Sequence, residues 1–401
     1  MSMTEQEFYQ LQENGAQDLF KKHKLDDPKE FALKYSGKSD LPIRALSEQI
    51  KCYQKAKKKL PTLSKHSLLY ESVAIEQCSG EAAAKYKSHL LSGNLMLDLT
   101  GGLGIDDIYF SQRFKRVIHC EKNDVLSKIA EYNFARLEIH NIETIATDSL
   151  KVLKDVERVD WIYIDPARRD ERSRFVSLET CVPNVVELQE TLLSKSDRVC
   201  IKVSPGVDFT AVKKQLNFLK EFIVISVNNE CKEILLILEK GYVEQVEVKA
   251  VMIDTRTEHI ETLQKHEKTY YQKAPSTKLH HFFYEPDVAI IKSKLSAKLA
   301  HILGIAFVNA SVDYMTSDKR VENFPGRAFE IKEVIPYQRK TLKNFLKVNK
   351  IFKANVARRD FPDSPEYIRK IFKLKDGGKD YLFFTKNSFN DLICIHCERI
   401  D

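Results

Sequence analysis

No apolar run in this 401-residue chain approaches the roughly 20 residues that a membrane-spanning helix needs. The opening stretch, MSMTEQEFYQ, has neither a basic start nor an apolar core, so no secretory leader is read there and the expected location is cytoplasmic. Cysteine is thinly spread: Cys52, Cys78, Cys120, Cys181, Cys200, Cys231, Cys394 and Cys397 show no dense, regular spacing. That argues against a disulfide scaffold and suits reduced thiols within apolar runs. The one close pair, Cys394-Ile-His-Cys397, has no second pair to complete a zinc site, so it reads as strand and no metal is expected. Also missing is the GxGxxG turn that holds a dinucleotide pyrophosphate.

What is present is an ordinary globular composition, 43% hydrophobic and 30% charged, in a chain too long for one core. Charge is unevenly placed: net +3 over 1–92, −4 over 93–244 and +8 over 245–401. Residues 331–375 alone carry 13 basic against 4 acidic side chains. A mildly acidic middle joined to a basic end fits a catalytic core beside a polyanion-binding surface.

Residues 1–92 show helical periodicity broken by Pro28, Pro42 and Pro61, and read as an N-terminal helical domain. From Asn94 short apolar strands alternate with helices. Strands are expected at 95–100, 116–121, 142–147, 159–165, 198–203, 222–228 and 233–239, with helices between, including CVPNVVELQETLLSK and DFTAVKKQLNFLK. Alternation of this kind builds a parallel sheet whose ligand crevice lies outside the carboxyl ends of its strands. Only NECK separates the last two strands, which is too short for a helical crossover, so they must pair antiparallel.

A doubly wound sheet ending in an antiparallel strand resembles the class I S-adenosylmethionine-dependent methyltransferases. The implied fold class is a Rossmann-like α/β core with a seven-stranded sheet, spanning 93–244. The turn LDLTGGLGID, Leu97 to Asp106, is similar to that family's first motif, where a glycine turn lets the backbone approach the ligand and opens a helix. The resemblance assigns cofactor contacts to Asp98, Thr100, Gly101, Gly102, Gly104 and Asp106, although the family often has glycine where Thr100 stands. Glu121, ending the second strand, can accept hydrogen bonds from both ribose hydroxyls, and Asp148 follows the third strand where related enzymes hold the adenine.

Strand four ends in IDPARRD, Ile164 to Asp170, a segment that lines the substrate side in this fold. Asp165, Pro166 and Arg168 are therefore the expected catalytic residues, with Arg169 and Ser204 at the substrate. Methyl transfer asks for orientation and local polarity more than for a strong base. The segment resembles the Asp/Asn-Pro-Pro-aromatic motif of amino-methylating enzymes but lacks the aromatic. It also resembles the Asp-Pro-Pro-Arg of RNA 5-methyluridine enzymes, but no cysteine follows strand five, where KVSPGVD stands.

Together with IEQCSGEAAAKYK, YEPDVAIIKS and RDFPDSPEYIRKIFKLKDGGKDYLFF, these motifs look like a bacterial family of class I methyltransferases with a THUMP-like C-terminal region. The resemblance implies S-adenosylmethionine as cofactor and RNA, tRNA or rRNA, as partner. In IEQCSGEAAAKYK, Glu76, Gln77, Ser79 and Glu81 are second-rank site residues or a capped linker helix. Residues 245–322 are expected to form a linker and a ferredoxin-like α+β segment, and 323–401 a THUMP-like RNA-binding domain with a turn at KDGGKD. The second ARRD, 357–360, places Arg358 and Arg359 as phosphate contacts, with Lys373 nearby. A small-molecule methyltransferase, an RNA binder with a weakly active core and a nicotinamide oxidoreductase are the alternatives.

Overall fold

The computed structural model describes residues 3–38, 40–168 and 177–400. The chain forms two compact units, Met1–Phe222 with Lys232–Glu244, and Ile223–Cys231 with Gln245–Asp401.

The first unit opens with helices α1 (Glu5–Gln10), α2 (Asn14–His23), α3 (Pro28–Tyr35), α4 (Ile43–Lys59), α5 (Ser72–Gln77) and α6 (Glu81–Leu90). Local chemistry starts them: Thr4 and Glu7 form a capping box on α1, and Asp27 caps α3 with Pro28 in its first turn. Along α4 the buried Ala45, Leu46, Gln49, Ile50, Cys52 and Ala56 recur every three or four residues, and Lys57, Lys58 and Lys59 sit at its negative end.

The α/β part follows: β1 (Gly93–Asp98), α7 (Ile105–Phe110), β2 (Phe114–Cys120), α8 (Asp124–Arg136), β3 (Ile142–Ile145), α9 (Ser149–Asp155), β4 (Trp161–Ile164), β5 (Ala167–Arg168), β6 (Cys181–Val182), α10 (Val185–Lys195), β7 (Arg198–Val203), α11 (Phe209–Gln215), β8 (Leu219–Val227) and β9 (Glu230–Glu239). Strands β3, β2, β1, β4 and β7 lie side by side in parallel, and β9 closes on β7 antiparallel. The β8–β9 turn is Asn228-Asn229, both at positive φ (52° and 63°), as a two-residue hairpin of this hand requires. Phe8, Phe31, Leu46 and Ile50 share one apolar core with Ile129 and Phe134 of α8, so the N-terminal helices belong to the same packed body as the sheet. Each such fully buried side chain contributes roughly 1.5–3 kcal/mol.

Three sequence expectations need correction. Cys181 and Val182, read as the head of a helix, instead pair antiparallel with Arg168 and Ala167, and α10 begins after Asn184, whose side chain caps it. Helix α11 stops at Gln215 because Leu219 is already in β8, which is longer than expected. In the second unit, β10 (Glu247–Asp254) and β11 (His259–His266) form an antiparallel hairpin where a linker was expected, with β10 beside β8.

The rest of the second unit is β12 (Phe282–Pro286), α12 (Val288–Lys292), α13 (Ser296–Leu303), β13 (Ala306–Phe307), β14 (Met315–Ser317), β15 (Gly326–Pro336), α14 (Arg339–Val348), β16 (Lys353–Arg358), α15 (Pro365–Phe372), β17 (Lys375–Lys386) and β18 (Leu392–Arg399). Its sheet runs β13-β14-β12-β15-β18-β17-β16, with β16 and β17 parallel. Phe283, Phe329 and Phe383 meet ring to ring at its centre, 4.5–6.0 Å apart. KDGGKD is a wide bulge inside β17 rather than a free turn: as β16 advances from Ala354 to Asn355 the partner jumps from Asp376 to Tyr381. Cys394 and Cys397 are both fully buried in β18.

Candidate functional site

The carboxyl ends of β1 to β4 open on a cavity of about 520 Å³ in the first unit. Its floor is the turn after β1. Gly104 holds φ 71°, and a Cβ there would stand 2.3 Å from the Phe134 ring; a Cβ on Gly101 would stand 2.2 Å from His119. Only glycine lets the backbone lie this close to α8 and β2. The Gly102 amide donates to Glu121 Oε2 (3.2 Å), and Asn123 N donates to Oε1 (2.7 Å), which fixes the acid at the β2 end.

Thr100 stands where glycine is frequent in the resembled family, and its side chain has a job here. Its amide and hydroxyl donate to Asp98 Oδ1 (2.7 and 3.3 Å), and its hydroxyl accepts from Asp165 N (2.6 Å). Threonine thus ties the ends of β1 and β4 together across the cavity.

Below the turn lies a second layer of ionisable groups. Asp98 is 2% exposed; burial, and then the neighbouring Asp107, push its carboxyl well above the usual range. Asp107 is raised likewise by burial and by Asp106, and it meets His119 Nδ1 at 2.6 Å. Burial in turn lowers His119.

Beside them is a network of unlike charges. Lys87 of α6 is fully buried, with Nζ 2.6 Å from Glu233 Oε1, 3.1 Å from Asp106 Oδ1 and 2.7 Å from Ser79 Oγ. Ser79 and the Tyr163 hydroxyl each donate to Asp106 Oδ2 at 2.8 Å. Burial works against both charges, but Lys87 holds Asp106 below its ordinary value, and Asp106 and Glu233 hold Lys87 above its own. Lys202 of β7 pairs with Asp165 Oδ2. The Asp165 side chain keeps 35% of its surface open, but into a concavity, so burial raises its carboxyl and Lys202 limits the rise.

Of the residues singled out from the sequence, Asp98, Thr100, Gly101, Gly102, Asp106, Glu121, Asp148 and Asp165 line this cavity, as do Gln77 and Ser79. Asp148 also caps α9 through Leu150 N (2.9 Å). Gly104 shapes the turn from behind, and Pro166, which follows Asp165 in the chain, is buried. Arg168 pairs through its backbone with Cys181; Arg169 lies outside the described residues. Ser204 follows β7 with its hydroxyl buried, without a hydrogen-bond partner among the described residues, and is not among the residues lining the cavity.

In the second unit the phosphate assignment meets internal partners. Arg359 reaches Glu285 Oε1 (3.3 Å) and stacks on Tyr314, and Arg358 donates to Phe361 O, because the strand end turns back on its own sheet. Lys373 is exposed at the end of α15. Sequence reasoning missed Lys87, Tyr163, Lys202 and Glu233. Lys202 had left a trace: a cation inside RVCIKV, a strand apolar on both faces, needs a buried carboxylate partner. Cys78, which also lines the cavity, is no ready nucleophile, since burial pushes its thiol up to about 11.

Strand order, antiparallel closing strand and a crevice at the strand ends define the class I methyltransferase fold. The THUMP domain-like family matches residues 326–399. In Mycobacterium tuberculosis, strains CDC 1551 and H37Rv, an uncharacterized S-adenosylmethionine-dependent methyltransferase is 22% identical over 315 residues, covering 79% of this chain and 84% of the relative. The crystal structure of a candidate methyltransferase from Porphyromonas gingivalis W83 is 27% identical, covers 100% of both chains and superposes with a TM-score of 0.85. The chain therefore has a class I methyltransferase fold with a THUMP-like C-terminal region, and along most of its length it is similar to proteins described as methyltransferases.

Proposed function

We propose that the protein methylates RNA, with the cofactor held in the first unit's cavity and the accepting atom received beside Asp165. The observation that carries this reading is the convergence, in one cavity of about 520 Å³, of a glycine turn, three strand-end acids and an aspartate paired with a buried lysine. That volume is in the range of small-molecule cofactor sites. The side chains suit S-adenosylmethionine: Glu121 is positioned for hydroxyls, the glycine backbone leaves room for close approach, and Asp98 and Asp148 supply acceptors. Asp106 is fully engaged by Ser79, Tyr163 and Lys87, so its part is to shape the floor rather than to hold the ligand.

When bound, S-adenosylmethionine supplies an electrophilic methyl group on a cationic sulfur. Asp165 then has two tasks for this chain: to orient the acceptor by taking a hydrogen bond from it, and to receive the proton that the acceptor releases on methylation. Lys202 limits the rise that burial imposes on that carboxyl and aims it, and Thr100 fixes the backbone from which it projects. RNA as the substrate rests on the basic segment 331–375 and on the THUMP-like match.

The test is incubation with methyl-labelled cofactor and RNA from cells lacking the protein. Label is expected in one RNA fraction. Asp165→Ala is expected to lower transfer at least about a hundredfold while leaving cofactor affinity within a few-fold. Absence of label from every RNA fraction sinks the assignment, and label confined to small molecules replaces it.

A further inference from the structure

Outside both the methyltransferase core and the THUMP-like match, the second unit has a pocket of about 480 Å³. Its lining includes Lys265 at the end of β11, Tyr270 and Lys273 in the segment after it, Lys294 between α12 and α13, and Lys298 on α13. No carboxylate belongs to that lining. Lys273 is neutralised by Asp313 at 2.9 Å.

The other three lysines have no acidic partner among the described residues. Lys265 Nζ donates to Thr269 O (3.3 Å) and Lys298 Nζ to Gln264 O, bonds that aim the ammonium groups without cancelling their charge. Burial, then Lys294 and Lys298, push Lys265 below its ordinary value, the mark of like charges held together. The fold imposes that proximity through two separate elements, a strand end and a helix, so it is not a run of neighbouring residues on one solvated face. A bound polyanion offsets the repulsion. Beside the cluster Tyr270 is 83% exposed, an aromatic surface next to cations, which is the pairing single-stranded nucleic acid uses for base stacking.

We propose that this pocket is a second RNA contact, separate from the methyl-transfer cavity, in which Lys265, Lys294 and Lys298 hold backbone phosphates and Tyr270 stacks a base. The proposal rests on the reading of RNA as substrate. It assigns a role to the segment 265–298, which the family match does not reach.

The full-length protein is titrated with bulk tRNA and with a short mixed-sequence single-stranded RNA across a range of salt. For Lys265→Gln/Lys294→Gln/Lys298→Gln the slope of log affinity against log salt is expected to fall by about 2 to 3, and for Lys294→Gln alone by about 1. The Lys294 side chain is exposed and has no hydrogen-bond partner among the described residues, its amide bond to Ile291 O being untouched by the substitution, so the single variant stands if the triple one misfolds. Tyr270→Ala is expected to weaken binding about tenfold at every salt concentration. Affinity for S-adenosylhomocysteine stays unchanged throughout. An unchanged salt slope in both lysine variants overturns the proposal, as does loss of inorganic pyrophosphate binding with RNA affinity intact, which makes the pocket a small-anion site. Wild-type protein that binds neither RNA defeats the substrate reading itself.

Discussion

The two units treat charge in opposite ways. In the first, Lys87, Asp98, Asp106, Asp107, His119, Lys202 and Glu233 are all buried beneath one cavity. In the second, Glu285 and Asp287 are the buried acidic or basic side chains among the described residues, while Lys340, Lys343, Lys347 and Lys350 of α14 and its end stand in solvent. A buried charge costs several kcal/mol unless partnered, and such a cluster is kept where a reaction needs a fixed field. Exposed lysines cost little and suit a polyanion, at an affinity that salt controls. The first unit thus concentrates buried charge beneath one small cavity, and the second presents its charge to solvent.

The contrast is broken most severely by Lys87→Met. It leaves Asp106 and Glu233 buried without their cation, and a loss of about 3–5 kcal/mol is expected in chemical denaturation. A loss below 1 kcal/mol would show that water reaches the network. Gly104→Ala, which forces an L-residue to φ 71° and a methyl into Phe134, is expected to cost about 2 kcal/mol or more and to weaken S-adenosylhomocysteine binding in calorimetry.

The buried acids also make stability depend on pH. Folding raises Asp98 and Asp107 well above 3.8, so the folded chain binds more protons than the unfolded one between that value and their raised values. Their contribution to stability is therefore lost as pH rises through the raised values. His119, lowered by burial, works in the opposite sense below its usual 6.5. Asp107→Asn is expected to make the fall of melting temperature with rising pH less steep, while an identical slope would place the effect elsewhere.

The smallest effect tests the second unit. Arg359→Gln removes one of two arginines from Glu285, with Arg327 remaining, and is expected to cost about 1 kcal/mol. Because that guanidinium is engaged internally, the salt slope of RNA binding is expected not to change; a fall of about 1 restores Arg359 as a phosphate contact.

Much of the first unit was legible because its signals are local. Alternating apolar strands and helices, the glycine turn and the short NECK gap between the final strands are each contained in a short window, and they suffice for the class I fold. The hairpin of β10 and β11 was not legible, since on β11 only one face is even half-buried and the apolar period is faint. Helix α11 was read too long because the apolar residues Leu216, Phe218, Leu219 and Phe222, which fall between the helix and the strand that follows it, fit a helical period as well as a strand.

What the sequence determined alone was the order of elements and the acids at the strand ends, because a turn and the residue before it are neighbours on the chain. Which lysines matter was decided by tertiary structure. Lys85 and Lys87 lie two residues apart in α6, yet about 200° of helix rotation separates them. Lys85 reaches Glu81 at the surface, half-exposed, and Lys87 points into the core at 0% exposure. Its partners Asp106 and Glu233 lie 19 and 146 residues away, and no periodicity in the chain connects them. The same holds for Asp165 and Lys202: each strand could be read from its own residues, but only the parallel pairing of β4 with β7 sets an aspartate against a lysine at the mouth of the sheet.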